Sequence, residues 1–133
     1  MNKLIRFAPI MLAVAAPLLA WSVAEAQSAG LTIDPDAQLI NSNQVLVSGT
    51  VACQSGETVF INVTLSQGGT TGSGFRSFPC TGFGQEGYDI AATSFGGDTF
   101  HKGKAHAVVN AQVCSFFTCT SPFFAARDVH VEE

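Results

Sequence analysis

The residues of this sequence with the most specific chemistry are four cysteines, three histidines and eleven phenylalanines. Cys53, Cys80, Cys114 and Cys119 form an even set in a chain of 133 residues, the usage of a small exported domain that pairs its thiols. Four cysteines allow three pairings. Cys114 and Cys119 are separated by four residues, an insert that suits the end of a hairpin, and pairing them leaves Cys53 for Cys80. Zinc is the competing use of four thiols. There is no C-x2-C pair, however, and an oxidising compartment favours S–S bonds.

Asp98, His101, His106, Asp128 and His130 are the residues that could act as acids, bases or metal ligands. No spacing among them fixes a ligand set, so they are read as solvated groups on strand and loop edges. A hydrolase would need a nucleophile with a base, and no G-x-S-x-G elbow is present. Gly72-Ser73-Gly74 reads as flexible loop, and Gly68–Gly72 has no following Lys to cradle a phosphate. No catalysis, metal or cofactor is expected.

The aromatic residues carry the functional expectation. Eleven Phe stand against one Tyr and one Trp. Phe116 and Phe117 lie between the paired cysteines, Phe123 and Phe124 follow, and Phe95 and Phe100 occupy a neighbouring loop. A tight hairpin tip cannot bury both of its central side chains in its own core. Two readings follow. In one, the tip is a rigid apolar knob that docks on a protein, a glycan or a small apolar ligand. In the other, it folds back and plugs an open end of the fold.

The elements that must hold these groups follow period-two alternation. Leu31–Asp34 reads as a first strand stopped by Asp34-Pro35-Asp36. In the next, Val45, Val47, Val51 and Cys53 share one face. Val59, Ile61, Val63 and Leu65 form the cleanest inward stripe, opposed by Phe60, Asn62, Thr64 and Ser66. Gln67–Gly74 reads as a loop, and Phe75–Cys80 and Tyr88–Thr93 as strands on either side of a loop at Thr81–Gly87. A second loop spans Phe95–Gly103. Ala105, Ala107, Val109, Ala111 and Val113 make another stripe, and Val129 and Val131 point inward from the last strand. Joining that strand to the Cys114–Cys119 hairpin requires a one-residue register shift near Ser121-Pro122-Phe123. These segments amount to about seven short strands, the profile of an all-β, immunoglobulin-like antiparallel sandwich with two disulfides. The outward positions carry Asn, Thr, Ser, His and Gln, which disfavours a membrane barrel.

Ahead of this domain, Lys3 and Arg6, an apolar run from Phe7 to Val23, and Ala24-Glu25-Ala26 read as a signal peptide with its cleavage site. A retained membrane helix is the alternative reading. Residues 1–26 are thus expected to be removed, leaving 27–133 as one secreted or periplasmic domain. Its four Lys and Arg against nine Asp and Glu give a charge of −5, against −4 for the whole chain, because Lys3, Arg6 and Glu25 leave with the leader. Such a surface offers nothing to nucleic acid or to anionic membranes.

Val47-Ser48-Gly49-Thr50-Val51-Ala52-Cys53, Thr64-Leu65-Ser66-Gln67-Gly68, Cys80-Thr81-Gly82, Gly103-Lys104-Ala105-His106-Ala107 and Ala125-Ala126-Arg127-Asp128-Val129 resemble a group of small immunoglobulin-like domains secreted by bacteria and known as a domain of unknown function. Cys114-Ser115-Phe116-Phe117-Thr118-Cys119 is also similar to the late C-x4-C hairpin of the neocarzinostatin-like apoproteins, where that hairpin helps wall a ligand cleft. The first resemblance implies export without an assigned activity, and a bacterial setting would leave the Asn62-Val63-Thr64 sequon silent. The second implies a small-ligand carrier. The expected function is a non-catalytic binding or accessory module, with a structural cell-surface or matrix component as the alternative.

Overall fold

The computed structural model of the protein describes residues 26–27 and 30–133. The expected leader lies outside the described residues except for Ala26. Among the described residues eight strands follow one another: β1 (Ala26–Gln27), β2 (Asp36–Asn41), β3 (Gln44–Gln54), β4 (Thr58–Gln67), β5 (Thr70–Pro79), β6 (Phe83–Ser94), β7 (Gly103–Cys114) and β8 (Phe123–Glu132). The alternating stripes set their orientation. Val45, Val47, Val51 and Cys53 of β3, Val59, Ile61, Val63 and Leu65 of β4, and Ala105, Ala107, Val109, Ala111 and Val113 of β7 are all buried. These meet Ile90 and Tyr88 of β6 and Val129 and Val131 of β8 in a single core.

The strands do not form the open sandwich that their number and spacing predict. They run β2-β3-β6-β5-β4-β7-β8 and close on β2 as a seven-stranded barrel, with β1 added along β8. Two short seams make the difference. β5 meets β6 only at Gly72–Ser94 and Ser73–Thr93. β2 meets β8 in parallel at Asp36–His130, Ala37–Val131 and Gln38–Glu132.

The first seam lies in the segment expected to be a loop. Only Gly68 and Gly69 turn there, and β5 begins at Thr70. A Cβ on Gly72 would stand 2.8 Å from the Thr93 carbonyl oxygen, and one on Gly74 would collide with the carbonyl of Ala91. The absence of a side chain, which made the segment look flexible, is what lets the two backbones approach. Beyond these two pairs β5 and β6 share no further ladder, and the Cys53–Cys80 disulfide ties β3, the neighbour of β6, to the end of β5.

The second seam depends on a strand absent from the expectation. Leu31 bridges Val51, and the Thr32 and Asp34 N–H groups donate to the Thr50 and Ser48 carbonyls. Pro35 interrupts this ladder, but the chain resumes as β2 along the same β3 edge. The Pro35 carbonyl, turned outward, accepts from the His130 N–H at 2.8 Å. Arg127 reinforces the join by donating from Nη1 to the Ile33 carbonyl.

The last hairpin has the expected register shift. Cys114 bridges Cys119, whereas Val109 pairs with Ala125 and Ala111 with Phe123, one residue out of step. That single step turns Val129 and Val131 into the core.

Candidate functional site

β5, β4, β7 and β8 are consecutive neighbours, so their registers place outward residues in rows. One row reads Phe75, Asn62, Asn110, Phe124 across the four strands. With neighbouring strands about 4.8 Å apart, the two phenylalanines stand roughly 14 Å from each other with two carboxamides between them. One row nearer the hairpin tip, Phe60 lies opposite Gln112. One row further, Thr58 faces Cys114.

Phe60, 39 % exposed, separates two hollows. One, of about 300 Å³, is lined by Phe60, Asn62, Asn110, Gln112, Pro122 and Phe124, with Ala111 at its floor. The other, of about 360 Å³, runs from Gly56, Thr58 and Phe60 to Cys114, Ser115 and Phe116. Both linings are uncharged. The Gln112 Nε2 donates to the Thr120 carbonyl at 3.1 Å. The Asn62 and Asn110 carboxamides bond to no other described residue, so each keeps a donor and an acceptor for a ligand.

The tip completes this face. The Ser115 N–H donates to the Thr118 carbonyl at 2.8 Å, which puts Phe116 and Phe117 at the two central positions of the turn. The Cys114–Cys119 bond fixes its base. The two rings stand 5.9 Å apart, tilted at 43°. They are 94 % and 93 % exposed, so the tip does not fold back as a plug.

The remaining expected contact residues separate. Phe124 is 59 % exposed on the face described. Phe123 turns inward, packs on the core and covers Gly30. Phe100 is only 3 % exposed, sealed over Gly72 with its N–H bonded to the Ser42 carbonyl, so its ring belongs to the core and not to the tip face. Phe95 is exposed, but its loop follows β6 and precedes β7, whereas the tip follows β7. The twelve residues of β7 put roughly 35 Å between the two. The loop is therefore not the tip's neighbour. A hollow of about 560 Å³ lies at that far end beside Leu39, Ile40 and Phe100, with the charged residues Lys102 and Glu133 in its lining.

The acid–base residues also disperse. His106 Nδ1 meets Asp128 Oδ1 at 3.0 Å, and Lys104 Nζ lies 3.4 Å from the same carboxylate. The hydrogen bond from His106, aided by Lys104, holds the Asp128 carboxyl below its usual range. His101 is held through its backbone by the buried Gln67, which donates to the His101 carbonyl at 2.7 Å and accepts from its N–H at 2.9 Å. His130 sits 3.7 Å from Glu132. All four cysteines are paired, leaving no free thiol.

Phe60, Asn62, Asn110 and Gln112 are the residues that sequence reasoning left out of the site. Their outward orientation was legible from alternation. Their neighbourhood was not, because it depends on the pairing of β4 with β7. No protein-family model matches the chain, and no curated protein matches it significantly.

Proposed function

We propose that the protein is an exported, non-catalytic binding module that holds a neutral glycan on the outer face of β4, β7 and β8. The pair of uncommitted carboxamides, Asn62 and Asn110, set between Phe60 and Phe124 carries this reading. A sugar ring has apolar C–H faces and hydroxyls that both donate and accept. Phenylalanine rings cover the first and carboxamides match the second. The uncharged lining gives no counter-ion to an acidic or basic ligand. Two disulfides fit the export expected from the leader.

The experiment is an array of neutral and acidic oligosaccharides probed with mature protein, residues 27–133, and with Phe60→Ala and Phe124→Ala. Retention on neutral sugars, weakened about fivefold by either substitution, is expected, since one lost stacking contact is worth about 1 kcal/mol. Retention that both variants keep would place the ligand elsewhere. No retention at all would favour a passive structural component.

A further inference from the structure

We propose that Asp36, His130 and Glu132 form a divalent-metal site of the zinc type across the seam where β2 closes on β8. Each offers one ligand atom, and these atoms lie within 4.8 Å of one another. The seam itself builds the arrangement. Asp36 is directly opposite His130 in the parallel register, and Glu132 follows two residues along the same strand. The alternation that turns Ala37 and Val131 into the core therefore turns all three ligands outward on one face.

The separation of His130 Nδ1 from Glu132 Oε2, 3.7 Å, is close to the ~3.4 Å between neighbouring ligand atoms of a tetrahedral zinc ion with bonds near 2.1 Å. Small side-chain rotations would bring the three onto one ion, with water in the fourth place. Among the described residues neither carboxylate has a lysine or arginine partner, so a dication would neutralise an otherwise uncompensated pair. One imidazole nitrogen with two carboxylate oxygens favours a borderline metal over calcium or magnesium, which take all-oxygen sets. Only three residue pairs hold this seam, so a bound ion would act as a clip on barrel closure. Because it binds the folded chain and not the separated strands, it would raise stability.

The test uses mature protein stripped with EDTA, then melted with and without zinc chloride in a non-chelating buffer. The variants are Asp36→Asn, His130→Gln and, as a control, His106→Gln, all surface changes that leave the His130 N–H bonded to Pro35. Zinc is expected to raise the melting temperature of wild type and His106→Gln by several degrees, and to have no effect on Asp36→Asn or His130→Gln. No shift in wild type would overturn the site. So would a shift retained in either seam variant, or one lost with His106.

Discussion

Exposure decides the fate of each phenylalanine. Phe116 and Phe117 touch little besides each other, so Phe116→Ser with Phe117→Ser should leave stability within about 0.5 kcal/mol of wild type. Phe100→Ala empties a core position and should cost about 3–5 kcal/mol. Thermal melts of the two variants check both. Asp128 gives a second residue-level outcome. Its carboxyl is depressed in the folded chain by His106 and then Lys104, so its contribution is present above the unfolded carboxylate range and fades as pH falls through the lower folded value. His106→Ala should therefore move the Asp128 titration upward in a carbon-detected NMR series. Exposure keeps the stability loss below about 1 kcal/mol.

At the scale of elements, β3, β4 and β7 were legible because apolar residues recur at alternate positions, with Leu46, Ala52, Phe60 and Val108 the apolar residues among the outward ones, and burial follows that alternation residue by residue. The step in register before β8 was legible too, since only a shift turns Val129 and Val131 inward. β5 and β2 were not. A run of Gly, Ser and Thr is compatible with loop and with close strand contact, and only the position of β6 decides between them. Asp34-Pro35-Asp36 ends one ladder locally, but β8 supplies the partner that restarts it. Gln67 looked like a turn residue and is instead buried, because the chain it bonds is 34 residues away. The seam offers a direct outcome. Gly74→Ala should cost about 3 kcal/mol, at the upper end for overpacking because the obstacle is a backbone carbonyl. Gly69→Ala, with open space around it, should cost little, and denaturant midpoints compare the two.

For the whole molecule, closure depends on contacts that no local pattern announces, which is why alternation led to an all-β fold but to the wrong one. The disulfides share this work unequally. Cys53–Cys80 spans 27 residues and Cys114–Cys119 only 5, so chain-entropy reasoning gives about 3.6 and about 2.2 kcal/mol. Replacing each pair by alanine should destabilise in that order by chemical denaturation. The barrel presents its uncharged aromatic and carboxamide face at the tip end and its histidines elsewhere, so ligand and metal readouts can be separated in one molecule. The most direct measurement of the central claim is an NMR titration of mature protein with a neutral oligosaccharide retained on the array, following side-chain carboxamide and aromatic signals. The account predicts shifts at Asn62, Asn110, Phe60 and Phe124 with the Phe95 loop unmoved. Shifts confined to that loop, or spread evenly over the surface, would contradict it.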